Sequence, residues 1–281
     1  MLSITPSDIP VQQLHQYLLG AVGPRPICFA STVDADGNHN LAPFSFFNVF
    51  SAKPPIAIFS PNISGKTGLA KDTHLNIKEV PECVINIVNY NMVQQMSLAS
   101  SPYPKGISEF TKAGFTPIAS ELVKPMRVKE SPVQLECKVF ELKEIGNCNL
   151  VMCEVVKIHI DESILNEHNL IDQQKIDLVA RMGGNWYCRA HGDALFEIEK
   201  PITTIGVGVD IIPISIKNSH VLTGNNLGQL GNIEILPSKE EVELFNKTLS
   251  QKFSTDLEKH QYAKTLLEMN KVKEAWSVLL S

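Results

Sequence analysis

Between Pro26 and about Val88 the chain alternates short β-type runs with turn residues, a pattern whose apolar side chains can be buried only in a meander or barrel. Residues 27–33 form the first run. Asp34-Ala35-Asp36-Gly37 then reads as a hairpin turn, because Asp-Gly supplies the positive φ of tight primed turns. The chain returns through residues 40–51, is punctuated by Pro54-Pro55, and makes a third run at 56–60 whose unbroken apolar character predicts burial on both faces. Lys71-Asp72-Thr73 opens a helix, with Asp72 or Thr73 placed to cap its free amides. Further strands are expected at 83–88, 133–142 and 150–160, the last two joined as a hairpin through Gly146-Asn147. Short helices are expected at 92–99 and 108–113. The first unit is therefore β-dominated with peripheral helices.

Beyond Phe196 the character changes. Residues 201–237 read as a loop rich in Gly and Asn, followed by two or three helices opened by the capping boxes Ser238-Lys239-Glu240-Glu241 and Thr255-Asp256-Leu257-Glu258. The organisation expected is a domain at 1–195 and a helical extension at 196–281 packed on it, since amphipathic helices must bury an apolar stripe.

Composition removes several partners. The 25 Lys and Arg are scattered and outnumbered by 30 Asp and Glu, giving a net charge of −5, so no basic footprint for nucleic acid exists. No apolar stretch is long enough to span a membrane, and the first residues lack the basic and apolar regions of a signal peptide, so a cytoplasmic protein is expected. The six cysteines show no Cys-x-x-Cys pair and read as reduced thiols, mostly small apolar fillers. Hydrolase elbows, the zinc-protease motif and the Walker loop are all missing. Gly206-Val207-Gly208 lacks the third glycine of a dinucleotide fingerprint, and His159 with Asp161 offers too few ligands for a metal, so none is expected.

The chemistry-bearing residues concentrate between Ser31 and Thr73. Ser31-Thr32 closes one strand, Pro43-Phe44-Ser45-Phe46-Phe47-Asn48 lies on the next, Ser60-Pro61-Asn62 ends the third, and Lys71-Asp72-Thr73 opens a helix. Aromatic walls, hydroxyls, amides and a helix N-terminus suit a flat heterocycle carrying a phosphate. The same phenylalanines also suit a barrel interior, and composition leaves both readings standing.

The order of these motifs, starting from Gly23-Pro24-Arg25-Pro26-Ile27, resembles the flavin reductase family, and more closely its longer flavoredoxin-like members. Residues 180–189 (Ala-Arg-Met-Gly-Gly-Asn-Trp-Tyr-Cys-Arg) are similar to the Arg-Leu-Gly-Gly-x-x-Tyr segment that closes the family domain. The resemblance covers about residues 10–195. It implies an FMN-binding split barrel, six-stranded and Greek-key, with peripheral helices, forming a homodimer with flavin near the interface. By position, Ser45, Phe46, Phe47 and Asn48 would flank the flavin ring, with Ser31 and Thr32 on the adjoining strand. Ser60, Lys66, Lys71 and Thr73 would hold the ribityl chain and phosphate, Asp72 would cap the helix, and Arg25 and Arg181 would serve either flavin or the dimer contact. The implied activity is NAD(P)H-dependent flavin reduction, hydride passing to FMN and electrons to a small-molecule or protein acceptor. The alternative is a flavoredoxin-like electron-transfer protein that holds FMN without using NADH or NADPH directly. No residue is assigned a catalytic proton transfer, because the hard chemistry belongs to the cofactor.

Overall fold

The computed structural model describes residues 1–63, 68, 70–104, 106–198, 201–249 and 251–281. The chain forms two compact units, Met1–Phe196 and Glu197–Ser281. In chain order the first contains α1 (Val11–Ala21), β1 (Cys28–Val33), β2 (His39–Phe44), β3 (Phe47–Ala52), β4 (Pro55–Phe59), α2 (Asp72–Glu79), β5 (Glu82–Ile87), α3 (Val93–Leu98) and α4 (Glu109–Ala113). It continues with β6 (Pro117–Ile118), β7 (Arg127–Val128), β8 (Val133–Ile145), β9 (Cys148–Ile160), α5 (Gln173–Ile176), β10 (Leu178–Arg181) and β11 (Tyr187–Ala190).

Seven strands make one antiparallel sheet in the order β2-β1-β5-β8-β9-β4-β3, one more than the six that the resemblance implies. Its two edge strands are consecutive in sequence, joined only by Ser45 and Phe46. Flat, six spacings of about 4.8 Å would hold those edges about 29 Å apart. Three Cα steps from Phe44 to Phe47 reach about 11 Å at most. The sheet must therefore curl until its edges meet, and the Ser45–Phe46 corner is the seam. This is the mainly β split-barrel fold with peripheral helices.

Strand alternation sorts the side chains. Cys28, Ala30, Phe44, Ala57, Phe59, Cys83, Ile85, Leu135, Cys137, Val151, Cys153 and Val155 fill one core, into which Ile77 of α2 also packs. The opposite face of β1 and β2 carries Ile27, Phe29 and Leu41, covered by Met96 and Ala99 around α3 and by Phe110 and Ala113 of α4. β1 is buried along its whole length because both its faces are covered. β4 is not: Ala57 and Phe59 are buried while Ile56 and Ile58 are half-exposed, so burial on both faces is corrected to one. The Asp34–Gly37 turn forms with Gly37 at φ 87°, and the Asp34 carboxylate accepts the amides of Asp36 (3.1 Å) and Asn38 (2.8 Å).

The second unit has its own core around Trp276, whose indole donates to the Leu230 carbonyl at 2.9 Å. Both capping boxes form, Ser238 with Glu241 opening α8 (Lys239–Thr248) and Thr255 with Glu258 opening α9 (Asp256–Glu268); α10 (Val272–Leu279) follows. Residues 201–237 are not simply a loop. They include α6 (Ile214–Lys217) and α7 (Gly224–Gly231), the latter opened by a third box between Thr223 and Asn226. Gly206 lies against Gly231, where an added Cβ would sit 2.4 Å from the Gly231 carbonyl oxygen. That close packing, not phosphate binding, is what this glycine does. Among the described residues no helix is long and apolar enough to cross a membrane.

Candidate functional site

The seam opens onto a cavity of about 370 Å³. Ile27, Pro43, Phe44 and Ser45 form one wall, Met96, Ser97 and Ser100 a second, and Arg181, Asn185 and Tyr187 a third. The third wall is rigid for local reasons. β10 and β11 pair through Arg181 and Tyr187, and Gly184, at φ 57°, lets the chain reverse between them. The Arg181 guanidinium donates to the Gly184 carbonyl (2.5 Å) and lies 4.5 Å over the centroid of the Tyr187 ring. The lining therefore offers hydroxyls, an amide, a cation and an aromatic face, the donor set suited to the polar edge and the face of a flat heterocycle.

Phe46 at the seam is exposed, and its ring stacks loosely on His15 of α1 at 6.4 Å between centroids. Phe47 is half-buried against the barrel interior, which makes it core, while Asn48 is exposed and accepts the amide of Val49. Ser60 sits beside the seam, its amide donating to the Phe46 carbonyl at 2.9 Å. Its hydroxyl is buried, donating to Asn62 and lying 3.1 Å from the Cys148 sulfur.

Thr32 and Thr73 belong to a different place. Both are fully buried, and Asn40 joins them: its amide donates to Thr73 Oγ1 (2.9 Å) and reaches Thr32 Oγ1 (3.4 Å), to which Asn76 also donates (3.2 Å). This network fastens α2 to β1 and β2. Enclosed as they are, these two hydroxyls stitch elements together. Ser31 is equally enclosed, on the opposite strand face, and its hydroxyl has no partner among the described residues.

Asp72 does not cap α2. The N-cap is Lys71, whose carbonyl accepts from His74 (2.9 Å) and Leu75 (3.2 Å), and among the described residues no side chain caps the first-turn amides. Lys71 is exposed, so a cation and a helix N-terminus with uncapped amides stand together there. Lys66 lies outside the described residues. Arg25 is buried and engaged internally, donating to the carbonyls of Leu19 (2.7 Å), Val22 (2.6 Å) and Met182 (2.9 Å), while its backbone exchanges two 2.9 Å bonds with Arg181. Burial, and then the nearby Arg181 charge, hold its guanidinium pKa below the ordinary value. It ties the end of α1 to β10.

Of the residues expected from sequence, the structure thus brings Ser45 and Arg181 to one cavity, places Phe46 and Ser60 beside it, and sets Thr32, Thr73 and Arg25 apart as fasteners. Asn185 and Tyr187, already inside the matched 180–189 segment, join the cavity wall. Ser97 and Ser100 carried no sequence signal beyond lying on or beside an expected helix.

The sequence profile of the flavin reductase like domain matches residues 21–176, more than half of the chain and most of the first unit. The chain belongs to the flavin reductase-like family. Within the family, an uncharacterised protein of Aquifex aeolicus is 35% identical over 185 residues, covering 66% of this chain and 94% of its own. The structure of nitrilotriacetate monooxygenase component B from Bacillus cereus is 29% identical with a TM-score of 0.65, covering 70% of this chain and 98% of that one. Flavoredoxin of Desulfovibrio vulgaris (Miyazaki F), at 22% identity and a TM-score of 0.55 over 65% of this chain and 93% of that one, shares the fold.

Proposed function

We propose that this member of the flavin reductase-like family binds FMN at the seam, takes hydride from NADH or NADPH, and passes electrons to a further acceptor. The observation that carries this reading is the seam cavity. It has the size expected for a small-molecule site, and its walls present Ser45, Asn185 and Arg181 beside the Tyr187 ring. The residues fit a flavin: hydroxyl, amide and guanidinium donors suit a pyrimidine edge, and the uncapped start of α2 with exposed Lys71 suits a phosphate. When bound, the flavin supplies the two-electron chemistry. The protein's share is to hold the ring, stabilise negative charge on its polar edge with Arg181 and Asn185, and leave one ring face open for a nicotinamide to stack.

A homodimer belongs to the same reading. The edge strand β3 exposes Val49 and Phe50, and α1 exposes Val11, Tyr17 and Leu18, apolar surface flanking the seam that a second copy would cover.

The test is the visible spectrum of the purified protein after equilibration with FMN and desalting, followed by anaerobic NADH and NADPH titration. Retained flavin that either nicotinamide bleaches supports the reading. Retained flavin that neither reduces makes the protein an electron carrier instead, and no flavin binding at all overturns the proposal. Lys71→Ala is expected to weaken FMN binding about tenfold, the worth of one charge-assisted contact of about 1.4 kcal/mol.

A further inference from the structure

The barrel interior holds a feature that flavin chemistry does not use. Cys83, Cys137 and Cys153, from the neighbouring strands β5, β8 and β9, point into the same core, with their three sulfur atoms within 4.8 Å of one another and all three residues fully buried. The register explains the convergence: Cys83 and Cys137 are directly opposed across β5 and β8, and Cys153 pairs with Val139, two residues along β8 from Cys137. Any one of these cysteines is an adequate small apolar filler. Three sulfurs gathered at one level are also a ready ligand set.

We propose that this triad is a binding site for a soft monovalent cation of the copper(I) class, held by three sulfur ligands inside the barrel. The ligand type selects the ion, because thiol sulfur favours soft closed-shell cations and the cluster contains no oxygen or imidazole. The charge selects the valence. Binding forms three metal–sulfur bonds and breaks one S–H bond, whose proton leaves to solvent. One thiolate, two neutral thiols and one monovalent cation then sum to zero, the only charge an apolar core tolerates cheaply. A divalent ion would need a second thiolate for neutrality, and zinc would need a fourth ligand. All three sulfurs are enclosed, so loading waits on opening of the barrel and is slow.

The experiment uses the full-length protein without added flavin, incubated under argon with copper(I) in acetonitrile, passed over a chelating column and measured for copper per chain and by X-ray absorption. The expected result is one copper per chain with three sulfur neighbours, retained by Cys188→Ala and lost by Cys137→Ala and Cys153→Ala. No retained copper, nitrogen or oxygen neighbours, or full retention by both core variants would overturn the proposal. Should the core variants fail to fold, the unmodified protein decides: copper(I) is expected to raise its melting temperature by mass action, and no rise counts against the site.

Discussion

Asn40 shows what one side chain can reverse. A threonine following Lys-Asp at a helix start has the chemistry of a phosphate ligand, and the sequence carries no sign that an amide 33 residues earlier takes its hydroxyl. Thr73→Val keeps the shape but leaves Asn40 Nδ2 buried without its 2.9 Å acceptor, and is expected to cost about 1–3 kcal/mol in urea melts. Glu136 makes a comparable case on the far side of the barrel. Burial pushes its carboxyl pKa up, but the amides of Glu121 (2.9 Å) and Leu122 (2.6 Å) and the His159 ring (2.7 Å) outweigh burial and hold it below the ordinary value. A carboxyl with a lowered native pKa contributes stability that is present above its unfolded pKa and lost as pH falls through the native one. The unmodified protein should therefore lose stability below about pH 4.3, the unfolded glutamate value, more steeply than Glu136→Gln, as urea melts across that range would record. His159, which the sequence pairs with Asp161 by spacing, is instead oriented by this carboxylate, while Asp161 accepts the Ser163 amide.

At the scale of elements, what was legible followed from local pattern. The β1–β2 turn, the β8–β9 hairpin and the two capping boxes each carry their cause within a few residues, and each forms. α1 was not among the expected helices, and the structure buries none of its residues, so its apolar positions serve no core of this unit. Its anchor comes from outside, in the three carbonyls that Arg25 gathers from Leu19, Val22 and Met182. Arg25→Met, which keeps the length and removes the donors, is expected to destabilise the protein by about 2 kcal/mol or more, with hydrogen exchange rising first in residues 11–21. The third run was misread for a related reason. An apolar sequence at 56–60 states what the strand tolerates on each face, while its place next to the edge strand β3 decides that only one face is covered. The cavity wall was legible only in part, since Arg181 and Tyr187 sit in a recognisable segment whereas Ser97 and Ser100 reach the site only once α3 has packed.

For the whole molecule, the separate cores of Met1–Phe196 and Glu197–Ser281 predict separable damage. Gly206→Ala drives a methyl into the Gly231 carbonyl at 2.4 Å, a backbone clash that no rotamer relieves. Limited proteolysis is expected to cut this variant within residues 197–281 while a fragment close to 1–196 survives, and equal sensitivity of both units would refute that. The strand order has a further consequence, in time. β1 pairs with β5, β5 with β8 and β4 with β9, so three of the six pairings that build the barrel join strands far apart in the chain. Loop-closure entropy must be met before such pairings return anything, which places refolding in the millisecond-to-second range of all-β proteins. The seam at Ser45 and Phe46 joins neighbours in sequence, yet it can take its final shape only after β9 has accepted β4. The cavity that opens beside it is therefore among the last parts of the molecule to exist, and a half-made chain leaving the ribosome has no place for a ligand until nearly all of the first unit has been synthesised.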